Sequence, residues 1–238
     1  MIERFDAVAP SNNHVYRMFS ETHIRRYVMA VNAITMFGVE PNIILDMAAG
    51  LGYGSPILSE VGTYLGLDIC NEAISKCKKA YPKHQFGYAD FDRGDHCKIM
   101  QDNAVNTVVS LETAEHLKDA NGFIQSIYNN LPNEGLLLFS APTSLMMDFD
   151  PYHLRDWNSG QWANAIKDAG FTIKSQTDMP FEGSFYDFFT VTPTTFKQKL
   201  WIVKFLLKHP SYLANRVWNW GFRQKFFCQS TFYVCTKG

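Results

Sequence analysis

The chain has 238 residues, 46% of them hydrophobic, and a formal charge of −1, enough apolar material for one full-sized core with a small subdomain attached. Near-neutral charge excludes a whole-chain nucleic-acid surface, and the five cysteines, at 70, 77, 97, 228 and 235, lack the close pairs that structural zinc favours. The opening MIERFDAVAPSNNHVYRMF carries charges and no apolar signal core, and no uninterrupted apolar window of about 18 residues offers a membrane span. A cytoplasmic protein with reduced thiols is the expectation.

NIILDMA (42–48) reads as a strand buried on both faces, from its unbroken apolar run and flanking proline and glycines. SPILSEVG then opens a helix, with Ser55 ahead of Pro56 in the order that helix starts prefer. TYLGLDI (63–69) is a second strand that ends in Asp68. The helix NEAISKCKKAYP (71–82) follows, with Asn71 as its cap, Lys78 and Lys79 at its negative end and Pro82 as its stop. HQFGYAD (84–90) and AVNTVVSLE (104–112) are the third and fourth strands. The helix ANGFIQSIYNNL stops before Pro132, and GLLLFSAP (135–142) is the fifth strand. FTIKSQTD (171–178) and STFYVCTKG (230–238) complete the set. Strands alternating with helices of this length predict an α/β fold, a doubly wound parallel sheet with right-handed crossovers.

In such a sheet ligands sit beyond the carboxyl ends of the strands. Asp46 and Gly50 follow the first strand, Asp68 ends the second, Asp90 the third, and Ser110 to Glu112 the fourth. One shared site is the simplest reading. The glycines Gly50, Gly52 and Gly54 match neither G-x-G-x-x-G nor a P-loop. An acid just ahead of them would repel a pyrophosphate by on the order of a kcal/mol or more. A cationic ligand without phosphate suits that turn better, and S-adenosylmethionine has an ammonium, a sulfonium, a ribose diol and an adenine. On this reading Asp68 accepts both ribose hydroxyls, Asp90 accepts from the adenine amino group, and Ile69 and Phe91 sandwich the ring.

These residues resemble a known family. The segment from about 40 to 145 is similar to the class I S-adenosylmethionine-dependent methyltransferases, whose first motif is matched by DMAAGLG (46–52) and whose second and third acids are matched by Asp68 and Asp90. VVSLETAEHLKD (108–119) matches the fourth-strand motif, with the Glu-His pair of many small-molecule members at Glu115 and His116. The resemblance implies a seven-stranded Rossmann-like sheet with its last strand antiparallel. It also implies a cofactor site made by Asp46, Ala48, Gly50, Gly52, Tyr53, Asp68, Ile69, Asp90, Phe91, Leu111 and Glu112. The Asn-Pro-Pro-aromatic signature of enzymes that methylate adenine or glutamine amides is absent. Asp90-Phe91-Asp92 and Asp148-Phe149-Asp150 spell D-x-D, but no further hard-cation ligands accompany them, and no required metal is expected.

Two flanks resemble a narrower group acting on sugars and glycans. ERF (3–5) with ETHIRRYVMA (21–30) is similar to a helix that closes over the cofactor, with Arg26 and Tyr27 facing its carboxylate end. DPYHLRDWNSGQWANAIKDAGF (150–171) is similar to an Asn-Pro-Tyr/Phe-His motif that brings a histidine over the site, here with Asp150 in place of the asparagine. This implies methyl transfer to a hydroxyl or amine of a sugar, nucleotide sugar or glycan intermediate, with His116 and His153 as candidate general bases and Glu112 or Glu115 to orient them.

The expected layout is one domain: a helical cap (1–39), a cofactor-binding core (40–178), a basic aromatic helical insertion (179–229) and a last strand (230–238). The insertion's centre, 196–227, holds seven Lys or Arg and no acid among many aromatics. It reads as a lid or substrate wall, as a peripheral membrane contact, or as a subunit interface. Two further readings stay open: a lipid or quinone methyltransferase at a membrane surface, and a non-catalytic cofactor-binding partner subunit.

Overall fold

The computed structural model describes residues 14–143, 152–180, 210 and 229–238. Its first half runs α1 (His14–Phe37), β1 (Ile43–Met47), α2 (Ser55–Leu58), β2 (Thr63–Asp68), α3 (Asn71–Ala80), β3 (Gln85–Tyr88) and α4 (Asp95–Asp102). It continues with β4 (Thr107–Leu111), α5 (Ala120–Asn130), β5 (Leu136–Pro142), α6 (Ser159–Asp168), β6 (Phe171–Pro180) and β7 (Gln229–Lys237). The strands form one seven-stranded sheet in the order β3-β2-β1-β4-β5-β7-β6. Only β7 is reversed, antiparallel to β5 on one side and β6 on the other. The α/β, doubly wound, Rossmann-like sheet expected from the sequence is therefore present. The reversed strand lies inside the sheet, not at its edge.

The unbroken apolar runs explain the layering. Along β5, Leu137 and Phe139 enter one core while Leu136 and Leu138 enter the other, because successive side chains point to opposite faces. The first core takes Leu45, Met47 and Val108 from the sheet and packs them against Met100 of α4, Phe123 and Ile127 of α5 and Trp162 of α6. The second takes Ile44 and Val109 and packs them against Tyr27 and Ile34 of α1, Leu58 of α2 and Ile74 of α3. Both faces are covered, as a parallel sheet requires.

Some local expectations change. Asn71 is the first residue of α3 and not its cap; Cys70 is the cap and supplies no side-chain bond. Helix α3 stops at Ala80, ahead of Pro82. Helix α4 escaped the sequence reading, and so did α6, although Asn158 and Gln161 form a capping box that announces α6. Helix α1 is longer than the motif within it. Strand β6 runs on to Pro180 and β7 starts at Gln229. The rest of the expected insertion, apart from Pro210, lies outside the described residues, as do residues 3–5 and 144–151. Among the described residues no helix is long and apolar enough to cross a membrane.

Phe139 is fully buried, with its ring centroid 5.3 Å from that of Trp162 and 6.1 Å from that of Tyr233. Phe139→Ala opens a cavity that the rigid sheet fills only partly, so a loss of about 3–5 kcal/mol is expected. Urea unfolding followed by tryptophan fluorescence checks it, and an unchanged midpoint would contradict the packing described.

Candidate functional site

The strand order changes direction between β1 and β4, and the crevice above their carboxyl ends is where this class of sheet binds ligands. Two non-glycine residues with left-handed backbone stand there, Ala48 (φ 61°) after β1 and Glu112 (φ 53°) after β4. Such conformations cost energy and cluster at functional sites. A hydrogen bond of 3.3 Å from Thr113 Oγ1 to the Met47 carbonyl ties the turn after β4 to the end of β1. The two loops thus form one floor.

The three glycines serve three purposes. Gly50 has φ +57°, and a Cβ built on it would meet nothing within 4 Å, so its backbone faces open space. Gly52 has φ +72° and a Cβ there would press on the Phe86 ring and Cys77 Sγ, so it packs against the protein. Gly54 lies against the Tyr27 ring, where a Cβ would overlap. Only Gly50 presents bare backbone to a ligand.

Asp68 joins this loop to β2. Its Oδ2 accepts from the Gly50 N–H at 2.9 Å and its Oδ1 from the Cys70 N–H at 2.8 Å. Ile69 beside it is 54% exposed, an apolar surface suited to a flat ring. Cys77 donates to the Gly50 carbonyl at 3.2 Å, and burial pushes its thiol up to about 12, so it acts as a structural donor and not as a nucleophile. Tyr53 is half-buried above the loop, edge-on to Tyr27 at 5.7 Å.

The structure places several expected ligand contacts elsewhere. Asp46 is fully buried and accepts from Tyr64 Oη at 2.9 Å and from Tyr27 Oη at 3.2 and 3.4 Å. It joins α1 and β2 to β1 and has no face toward the crevice. Tyr27, expected to face the cofactor carboxylate, is spent on Asp46. Arg26 is also buried: it donates to Ser230 Oγ at 3.0 Å and lies 3.4 Å from Glu112 Oε2. Its Nη1 is 3.1 Å from His23 Nδ1. Burial, followed by the nearby Arg26 charge, lowers His23 to about 4. Glu112 accepts from Ser140 Oγ at 2.8 Å and Ser230 Oγ at 3.0 Å, so it binds α1, β5 and β7 together at the crevice wall. Leu111 before it is half-buried against the second core. Phe91 is buried in the first core, 5.8 Å from Phe123, and leaves little surface for a ligand. Asp90 is half-buried and accepts from the Asp92 N–H at 3.1 Å, capping a short 3-10 turn.

The histidines do come together. The 3-10 turn Ala114–His116 follows β4, and the segment around Leu154 and Arg155 is pinned over it. Leu154 N–H donates to the Glu115 carbonyl at 2.9 Å, and Arg155 donates to the carbonyls of Ala114 and Lys118, both at 2.8 Å. The His116 and His153 rings meet edge-to-face at 4.8 Å. Glu115, 1% exposed, lies 3.7 Å from His116 Nε2 through its Oε1. Tyr64, Ser140, Ser230 and Arg155 were not anticipated. Tyr64 alone had a signal, since it shares a strand face with Gly66, the register partner of Asp46.

Bare backbone at Gly50, a carboxylate under it and an exposed Ile69 fit a ribose and a flat base, and they fit S-adenosylmethionine. Comparison with known proteins agrees. Residues 45–139, from within β1 into β5, match the model of a family described as a methyltransferase domain. No curated protein matched the chain. The fold is similar to that of the YcgJ protein of Bacillus subtilis, at 13% identity and TM-score 0.68, over 90% of this chain and 99% of the other. It is similar to a SAM-dependent methyltransferase from Archaeoglobus fulgidus, at 16% identity and TM-score 0.58, over 91% and 94%. It is also similar to the magnesium protoporphyrin IX methyltransferase of Synechocystis, solved with bound SAM, at 13% identity and TM-score 0.61, over 99% and 88%. Residues 45–139 thus carry the sequence pattern of a methyltransferase domain. Methyl transfer from S-adenosylmethionine is the chemistry with which this match, the fold and the crevice agree.

Burial raises the Asp46 carboxyl to about 7, with the two tyrosine bonds opposing the shift. A folded-state pKa above the unfolded value means that the folded protein holds the extra proton between about pH 4 and 7. The contribution of Asp46 is then full below that window and is lost as pH rises through about 7. Asp46→Asn keeps an acceptor for the tyrosines and cannot ionise. The variant is expected to gain stability relative to the parent steadily from about pH 4 to 7 and by a constant margin above it. Paired thermal melts across that range check this; a constant difference throughout would refute it.

Proposed function

We propose that the enzyme methylates a hydroxyl or amine of a small molecule, a sugar, nucleotide sugar or glycan intermediate, with the acceptor bound beside His116 and His153. The open space over Gly50 is the observation that carries the cofactor half of this reading. There the ribose diol meets Asp68, the base lies on Ile69 with Asp90 at its far edge, and Ala48, Gly52, Tyr53 and Leu111 shape the walls. Asp46, Arg26, Tyr27 and Glu112 act from behind, by holding α1 and the loops in place.

The acceptor half rests on position. The turn that carries His116 adjoins the glycine loop through Thr113 and Met47, so a group held by the two imidazoles lies next to the bound cofactor. Methyl transfer is an in-line displacement: the acceptor atom takes the methyl carbon as the carbon–sulfur bond breaks, which leaves a neutral thioether and releases one proton. The chain's task is alignment and, for a hydroxyl, removal of that proton. His116, His153 and Glu115 are the side chains on that side able to take the proton up or loosen it. The carbohydrate class is supported by the flanking motifs around Arg26 and His153. The membrane and partner-subunit readings lean on residues 196–227, which lie outside the described residues.

Two substitutions test the cofactor seat. Asp68→Ala is expected to abolish measurable S-adenosylmethionine binding by calorimetry. Gly50→Ala has room for its methyl, which meets no atom within 4 Å, so it loses only about 1–2 kcal/mol of stability from backbone strain while binding falls more than tenfold. Affinity within about twofold of the parent in both would overturn the assignment. Release of S-adenosylhomocysteine across a panel of nucleotide sugars, glycans and amines then identifies the acceptor; turnover confined to lipids or quinones would refute the carbohydrate class.

A further inference from the structure

The three side chains at the acceptor end have a composition that general base catalysis does not need. Glu115, His116 and His153 each place one ligand-type atom so that all three lie within 4.8 Å of one another. They come from two segments far apart in the sequence, brought together by the backbone bonds at Leu154 and Arg155.

The protonation of His116 can be read from its partner. His116 Nδ1 lies 3.1 Å from the Tyr152 carbonyl oxygen. A carbonyl only accepts, so Nδ1 carries the hydrogen. In the neutral ring Nε2 is then a lone pair, and it faces Glu115 Oε1 at 3.7 Å. A lone pair and a carboxylate oxygen repel unless a positive centre sits between them, either a second imidazole proton or a metal ion. A backbone carbonyl on the far nitrogen is the usual outer-shell device that orients a metal-binding histidine. The third group, the imidazole of His153, decides between the two. A proton needs only two partners, whereas a metal ion uses a third. Arg155 adds positive charge nearby, with its guanidinium held by the carbonyls of Ala114 and Lys118.

We infer that Glu115, His116 and His153 form a binding site for a divalent first-row transition metal ion at the acceptor end of the crevice. The donor set selects the ion: two imidazoles with one carboxylate suit zinc, manganese, iron or cobalt, while magnesium and calcium prefer oxygen alone. Ligands about 2.1 Å from a tetrahedral ion stand about 3.4 Å apart. The Glu115–His116 separation is within a few tenths of an ångström of that. The widest separation must close by over 1 Å, a small swing of the half-buried His153 ring. Glu112, three residues before Glu115, stays out of the set because its oxygens serve Ser140, Ser230 and Arg26. A two-histidine, one-carboxylate face leaves neighbouring positions open, so the acceptor class is narrowed to molecules with two adjacent oxygens, a vicinal diol or a hydroxy-carbonyl unit. Coordination would make such a hydroxyl more acidic. This rests on the acceptor location proposed above but not on the identity of the acceptor.

The test is direct binding. Chelator-treated full-length protein is titrated with Co2+, followed by visible absorption, and with Zn2+, followed by calorimetry. One equivalent is expected to bind, with the imidazole proton signals of His116 and His153 broadened by Co2+ and those of His84 and His96 unaffected. Glu115→Gln, His116→Ala and His153→Ala are each expected to weaken Co2+ binding at least tenfold. S-adenosylmethionine affinity, which depends on Asp68 and Gly50, should stay within about twofold in all three and so report that they fold. Failure of the unsubstituted protein to bind either ion while it binds S-adenosylmethionine would overturn the metal site and leave the methyltransferase reading intact. Metal binding that is insensitive to all three substitutions, or that leaves both histidine signals sharp, would overturn it equally.

Discussion

A carboxylate with no access to water holds the working end of this protein together. Asp46 sits at the last turn of the central strand, and the hydroxyls of Tyr27 and Tyr64 reach it from a helix on one side and a neighbouring strand on the other. Hydrogen bonds to a charged group contribute roughly 1.5–3 kcal/mol each, yet burying an ion costs several. Desolvation wins, since the carboxyl lies near 7 despite both bonds. The arrangement still fixes geometry. It locks α1 over the glycine loop at one height, and Gly54 allows that approach because no side chain separates it from the Tyr27 ring.

The strain in the crevice follows from the same arrangement. With α1 clamped from above and β2 from the side, the chain leaving β1 turns through a left-handed Ala48, and the chain leaving β4 through a left-handed Glu112. Each turn is held by bonds from neighbouring strands: Asp68 of β2 accepts from Gly50 in one case, and Ser140 of β5 and Ser230 of β7 donate to Glu112 in the other. Among the described residues, the groups that line these two turns are already bonded before a ligand enters. That is the pre-organisation which makes positional catalysis effective.

The architecture was legible in the sequence to a large degree, because unbroken apolar runs of strand length alternating with helical ones admit one layout. The position of the crevice was legible too, since the acids fall at the carboxyl ends of those runs. Which way each acid faces was not. Asp46 and Asp68 differ little as residues in a list, but Asp46 lies under the Tyr27 ring of α1, while Asp68 ends its strand and turns to the loop beside it. Phe91, next to Asp90, reads in the sequence as one side of an adenine sandwich; in the 3-10 turn it belongs to the first core. Glu112 and Glu115 lie three apart on a segment too irregular for any period to separate them. One joins the serines and Arg26, the other the histidines. Spacing along a chain carries no information on rotation about it once regular structure ends.

The interior placement of the reversed strand has a further bearing on how the molecule is made. Ser230, at the start of β7, takes a bond from Arg26 of α1 across 204 positions of sequence, and contacts of such separation form late. While the chain is being synthesised, the first helix has its Tyr27–Asp46 bond within reach early but lacks the Arg26–Ser230 one until β7 has emerged between β5 and β6. The crevice wall that Glu112 makes with Ser140 and Ser230 is therefore completed by the last strand to be made.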